Sequence, residues 1–357
     1  MILTIENICD YLLENQFIDK NAIIEGDLLI RDVSSRNTNF LVNQFHANGI
    51  KILIKQPDIN DKDYIKSMEV EAEIYQLIFN NNDFEQVKTY LPTFNLYDSK
   101  NHILIIEQIT GVCRVFDYLF YGLNLPDENI SEHFAKALSA LHSIKIEQKL
   151  LSEIPKSYPW FLNVGQKSYQ KKIKKSHAKT YQYLSEIFEN KKWMDVISRT
   201  KRNWQEENII HLDSRFTNWM ISFRHQTNQN NPLWLIDWEM AGKGDAAWDI
   251  AFLVGEWINL GVFFQENHPT IFPDIEQKIT AQINFFWKSY RDKRHFSLSK
   301  KKDFLKRICR YLALRILMMT YELLLEDEES QTTLTLVNLF KKMIEKPGDV
   351  QKKYFYD

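Results

Sequence analysis

The sequence predicts an α+β protein in two parts, a β-rich N-terminal part carrying one main helix and a larger, mainly helical remainder. Three observations predict it. Short apolar runs of strand length crowd the first 110 residues, helical spacing dominates from Ile130 onward, and 357 residues (42.6 kDa) exceed one small core.

The elements follow in order. Asp27 to Val33, Asn39 to Phe45 and Ile50 to Ile54 alternate or run apolar, as strands do. From Tyr64 to Phe79, Ile65, Met68, Ala72, Tyr75, Leu77 and Ile78 fall near helical spacing, which predicts an amphipathic helix. Thr93 to Tyr97 and His102 to Ile106 read as two further strands. Ser131 is the expected N-cap of a helix running through Leu141. No repeat or Pro/Gly linker divides the chain, so the boundary is set at Gly111, giving parts 1–110 and 111–357.

Composition narrows the function. A formal net charge of −2 excludes bulk nucleic-acid binding, which needs a strong basic excess. Cys9, Cys113 and Cys309 are too far apart for C-x-x-C chemistry and point to a reducing compartment. Glu6 and Asp10 stand where an export signal would be basic. The longest apolar stretch, Leu312 to Leu325, is interrupted by Arg315 and Glu322 and is too short to span a bilayer. A soluble cytoplasmic protein without membrane attachment is expected; the oligomeric state is not readable.

The most informative stretch is His211-Leu212-Asp213-Ser214-Arg215-Phe216-Thr217-Asn218. Downstream, the apolar run Leu233 to Ile236 ends in Asp237-Trp238-Glu239. Trp219 to Phe223 reads as a short strand and Arg224 to Asn231 as a polar turn, so both motifs meet on one hairpin. Asp213, Asn218 and Asp237 then share one end of it. Two carboxylates and an amide carbonyl are hard oxygen ligands suited to Mg²⁺, with one carboxylate left to orient a hydroxyl. Phosphoryl transfer needs such a set, because its catalysis is mostly positioning and charge neutralisation.

This pair of motifs resembles the catalytic and metal-binding loops of the protein-kinase-like superfamily, in its aminoglycoside phosphotransferase and choline kinase branch. Asp237-Trp238-Glu239 stands where protein kinases have Asp-Phe-Gly, and Gly244-Asp245 and Asp249-Ile250-Ala251 match later branch motifs. The likeness runs from about residue 25 to residue 260. It implies a bilobal fold whose N-terminal lobe is an antiparallel sheet, with ATP or GTP as co-substrate and Mg²⁺ as cofactor.

Residue by residue, the resemblance makes Asp213 the catalytic base and Asn218 and Asp237 the metal ligands. Arg215 would neutralise the transferring phosphoryl group, while His211, Asp245 and Asp249 would be structural. Lys55, closing a strand, would reach the nucleotide phosphates and pair with Glu71, with Glu69 and Glu73 as competitors. Ser35, Arg36 and Asn37 occupy the phosphate-covering loop, which here has no glycine and departs from pattern. The carbonyl of Glu107 and the amide of Ile109 would hold the purine, ATP and GTP being indistinguishable by such contacts.

For the acceptor, Trp238, Glu256 and Trp257 are the candidates, an aromatic and acidic surface for a cation. The acidic run Glu326 to Glu329 is an alternative surface, and both readings compete with core packing and a solvated helix end. The implied activity is phosphoryl transfer to a small-molecule hydroxyl of aminoglycoside, choline or sugar type. A peptide kinase is disfavoured by the missing Ala-Pro-Glu and the short path from Asp237 to Asp249. A pseudokinase binding module is supported only by the glycine-free loop.

Overall fold

The computed structural model describes all residues except 36, 47–48, 126, 145–153, 223–232, 327–329 and 357. Its N-terminal strands β1 (Leu28–Asp32), β2 (Thr38–Gln44), β3 (Lys51–Gln56), β4 (Phe94–Asp98) and β5 (Ile103–Glu107) form one antiparallel sheet. The strand order is β1-β2-β3-β5-β4, so β3 and β5 are interior neighbours. β5 reads Ile-Leu-Ile-Ile because both its faces are covered. Ile103 and Ile105 join Phe40, Val42, Ile52 and Ile54 in a core beneath the helix Ile8–Glu14, while Leu104 and Ile106 join the other core. That short helix and its neighbour Lys20–Ile24 were not anticipated; each is less than two turns of useful periodicity.

The main N-terminal helix, Lys62–Phe79, starts where the Asp61 side chain accepts the amides of Asp63 and Tyr64. It buries Met68, Glu71, Ala72, Tyr75 and Ile78 at helical spacing. Glu71 is thereby carried into the interior by an otherwise apolar face.

Past Gly111, which takes φ +70° between β5 and the next strand, the chain enters the helical part. β6 (Val112–Arg114) pairs with β8 (Trp219–Ser222), and β8 with β9 (Leu233–Leu235), all antiparallel. β7 (Asn208–Ile210) pairs with β10 (Gly242–Gly244). The turn expected at Arg224 to Asn231 lies outside the described residues. The helix Glu128–Ser143 is capped by Asp127, whose carboxylate accepts the Ile130 amide at 2.8 Å. Ser131 is therefore not the N-cap: it is buried inside the first turns and donates to Gln282 Oε1 at 2.7 Å. Asp outcompetes it because a carboxylate also complements the positive helix end.

Helices between Lys167 and Arg202, then Ala246–Asn267, Ile275–Arg294, Leu298–Leu325, Gln331–Glu345 and Pro347–Tyr354, make up the rest of this part. The most apolar of them is Ala246–Asn267 rather than the stretch Leu312 to Leu325. By composition it could cross a membrane, but 83% of its apolar window is buried as the central core helix.

Candidate active site

Asp249 organises the catalytic loop. It lies in the first turn of Ala246–Asn267, fully buried, and takes three donors. Oδ2 accepts the His211 amide at 2.8 Å and His142 Nε2 at 3.2 Å; Oδ1 accepts the Leu212 amide at 2.9 Å. Burial holds the His142 imidazole below its usual pKa against the pull of Asp249, so the ring is neutral and donates from Nε2. To present both amides to one carboxylate, Leu212 adopts φ +70°, a left-handed conformation unusual for a branched side chain. The cap Asp245 holds the helix start, accepting from Tyr311 Oη at 2.8 Å and pairing with Arg307 at 2.9 Å.

Asp249→Ala is expected to lower unfolding free energy by about 3 kcal/mol or more. It orphans three buried donors, each worth about 1–3 kcal/mol. Equilibrium urea denaturation reads this directly, and a loss under about 1 kcal/mol would show that the loop holds its shape without the carboxylate.

The two ligand motifs are stitched through one peptide. Ile236 donates its amide to Asn218 O at 2.9 Å, and its carbonyl meets His211 Nε2 at 3.0 Å. Trp238 packs edge-on against His211 with ring centres 4.8 Å apart and donates Nε1–H to Leu235 O at 3.0 Å. Asn218 Nδ2 donates to Asp213 O at 3.0 Å and to Asp213 Oδ2 at 3.1 Å. With its amino group so engaged, the Asn218 carbonyl oxygen is the atom turned away from Asp213.

Asp237 follows at once, in the left-handed region (φ +68°, ψ 61°). Its Oδ1 lies 3.2 Å from Lys55 Nζ, which is 2.6 Å from Glu71 Oε2. Glu71 is thus the helix carboxylate paired with Lys55, whereas Glu69 sits 3.6 Å from His102. Burial alone would depress the Lys55 ammonium, but Glu71 and Asp237 outweigh it and raise its pKa, keeping it charged. Burial in turn raises the Glu71 pKa, against the opposing pull of Lys55. A charged lysine and a strained carboxylate therefore meet just past β9, one residue beyond the peptide that bonds the Asn218 main chain.

Arg215 donates Nε–H to Asp213 Oδ1 at 2.7 Å and lies 3.6 Å from Glu322. Burial would lower its pKa; Asp213 and Glu322 raise it instead.

The remaining nucleotide candidates are less gathered. Ser35 donates its amide to Asn37 O at 3.2 Å, and Ser34 Oγ accepts the Asn39 amide at 3.0 Å, so side chains brace a loop that has no glycine. Arg36 lies outside the described residues. Glu107 uses its side chain locally, Oε2 accepting from Thr93 Oγ1 at 2.6 Å, and Gln108 bonds back to Lys51, leaving Ile109 half-buried just beyond the strand.

The acceptor candidates need correction. Trp238 and Trp257 are 1% and 0% exposed, and Trp257 packs among Phe134, Phe216 and Phe286. Neither can offer a ring face to a ligand. Glu256 is buried as well, taking the Phe216 amide at 3.1 Å and Arg315 Nη2 at 2.8 Å. Glu326 is exposed at a helix end, and 327–329 lie outside the described residues. Missed by sequence reasoning were His142, Arg315 and Glu322. The last two had registered only as interruptions of an apolar stretch, yet a buried arginine demands carboxylate partners, and that was the signal.

The structure thus brings a lysine–glutamate pair of the β-sheet part to Asp237, next to the Asp213–Asn218 pair of the helical part. Residues 123–268, which hold Asp213, Asn218, Asp237 and Asp249, match the sequence model of the phosphotransferase enzyme family. Over this stretch, less than half of the chain, the protein is similar to that family. No curated protein sequence matches it. Solved structures share its fold at low identity. A Plasmodium vivax ethanolamine kinase is 18% identical over 95% of this chain and 89% of its own, with a TM-score of 0.60. The APH(2")-IIa of a ternary complex with streptomycin and ATP is 16% identical over 96% and 99%, TM-score 0.52. A GDP-bound aminoglycoside 2'-phosphotransferase-IIIa is 12% identical over 98% and 100%, TM-score 0.52.

Proposed function

We propose that this protein transfers the γ-phosphoryl group of ATP or GTP to a hydroxyl of a small molecule, with Mg²⁺. The observation that carries the reading is the cluster Lys55–Glu71–Asp237 joined through Ile236 to Asn218 and Asp213. Residues 1–110 would form the nucleotide lobe and 111–357 the catalytic and acceptor lobe. Lys55 would hold phosphate oxygens, and Asp213 would take the proton of the attacking hydroxyl. Mg²⁺ fits the donor set: it binds through one or two carboxylates plus substrate phosphates, which Asp237 and the Asn218 carbonyl would complete. The ion would neutralise charge on the transferring phosphates.

For the acceptor, a cleft of about 330 Å³ lined by Trp160, Tyr169, Lys172, His177 and Tyr321 would take the place of the buried tryptophans. Its aromatic rings suit a cationic acceptor. The fold relatives named for ethanolamine and aminoglycosides fit that chemistry. A peptide acceptor is disfavoured, since the single turn Trp238–Met240, β10 and the Asp245 cap fill the path from Asp237 to Asp249.

The test is a screen of ethanolamine, choline, aminoglycosides, neutral sugars and peptides against ATP and GTP, scored by mass of the phosphorylated product. Cationic alcohols are expected to be phosphorylated and peptides not. A peptide product, or none with either nucleotide, would overturn the proposal.

A further inference from the structure

Three charged side chains outside the nucleotide cluster form a mount for the catalytic loop. Arg315, in the middle of Leu298–Leu325, is 2% exposed, and its guanidinium carbon lies 3.9 Å over the Phe252 ring. The fork bridges two carboxylates: Nη2 donates to Glu256 Oε1 at 2.8 Å and Nη1 to Glu322 Oε2 at 3.0 Å. The free oxygen of each reaches a consecutive residue of the catalytic loop. Glu256 Oε2 takes the Phe216 amide at 3.1 Å, and Glu322 Oε1 lies 3.6 Å from Arg215 Nη2.

The backbone is shaped around this fork. Gly255 interrupts a 22-residue helix, a position where glycine is unfavourable, and a Cβ there would lie 2.7 Å from Arg315 Cγ. The sequence thus gives up helix stability at 255 to admit the arginine stem. Asp213, Glu256 and Glu322 carry three negative charges against the two positive charges of Arg215 and Arg315, so the set keeps one net negative charge.

We infer that Glu322 is a positioning residue for Arg215: it draws one edge of the guanidinium away from Asp213, so that the arginine meets the base through Nε alone. Without that second carboxylate, Arg215 can close on Asp213 as a two-pronged pair, the favoured guanidinium–carboxylate geometry. That would occupy the base and withdraw the cation from the phosphoryl group. Both oxygens of Glu322 already face arginines, so its work is on the loop and not on the acceptor. Arg315 and Gly255 hold it in place.

This inference rests on the phosphotransfer reading, with Arg215 at the reacting group. The test is a double-mutant cycle on the full-length protein, with Mg²⁺-ATP and ethanolamine, choline or streptomycin in turn, and with water as acceptor if none reacts. Glu322→Gln is expected to lower kcat about tenfold, leaving the KM of ATP and of the acceptor unchanged. Arg215→Gln should lower it further, and adding Glu322→Gln in that background should change kcat less than about twofold, because coupled residues are not additive. Gly255→Ala, which presses on Arg315 from the opposite helix, should behave as Glu322→Gln does. Effects that multiply, or a raised acceptor KM with kcat intact, overturn the positioning role while leaving phosphotransfer standing. A parent protein with no turnover on any acceptor or on water overturns both.

Discussion

Asp213→Ala is expected to bind Mg²⁺-nucleotide about as tightly as the parent and to transfer phosphoryl groups roughly 10²–10⁴-fold more slowly, the usual contribution of a positioned base. The substitution is tolerable for the fold. Arg215 keeps Glu322 as a partner, and Asn218 Nδ2 keeps the main-chain carbonyl of residue 213 at 3.0 Å. Neither is left as a buried orphan, so a lost rate reads as lost chemistry and not as unfolding. Calorimetric titration with nucleotide and single-turnover transfer separate the two. The same pair of proteins distinguishes an enzyme from a binding module. If nucleotide stabilises both equally, neither turns over any acceptor, and partner binding survives Asp213→Ala, the pseudokinase reading replaces the enzyme.

How much of this was legible beforehand follows from what each signal measures. The five sheet strands and the helix Lys62–Phe79 carry strong periodicity, and their edges moved by only a residue or two. The Asp213–Asn218 and Asp237 motifs were readable because their chemistry is local, fixed by short spacing. Lys55 could be nominated from chain order and Glu71 preferred over Glu69 and Glu73 by its likeness to family helices, and the structure pairs the two at 2.6 Å. The acceptor surface was misread for a physical reason. Trp238 and Trp257 are as apolar as they are aromatic, and a sequence does not say whether a ring closes a core or lines a cleft. Glu256 misled in the same way: its partner Arg315 lies 59 residues away, a separation that no local pattern encodes. Long-range ion networks are written in tertiary structure alone.

Asp237→Asn is expected to reduce transfer by about 10³-fold or more while the fold stays intact, a loss of about 4 kcal/mol of transition-state stabilisation. The choice of Asn makes the test clean. Position 237 sits at φ +68°, where Asn is as tolerant as Asp, so the backbone has no reason to relax. Lys55 retains Glu71 at 2.6 Å, so removing one of its two carboxylates does not leave a bare buried cation. What changes is the charge that Asp237 offers. If that charge serves Mg²⁺, the variant should need far more metal for half-maximal rate, and raising Mg²⁺ should recover part of the loss. If Asp237 serves only to neutralise Lys55, the Mg²⁺ midpoint should stay where it is and nucleotide affinity should change instead, because the ammonium would then be drawn more strongly to phosphate. Near-native turnover at ordinary Mg²⁺ would remove Asp237 from both roles. The two partial outcomes differ in which titration moves, so one pair of curves decides whether the left-handed aspartate is a metal ligand or a counter-charge.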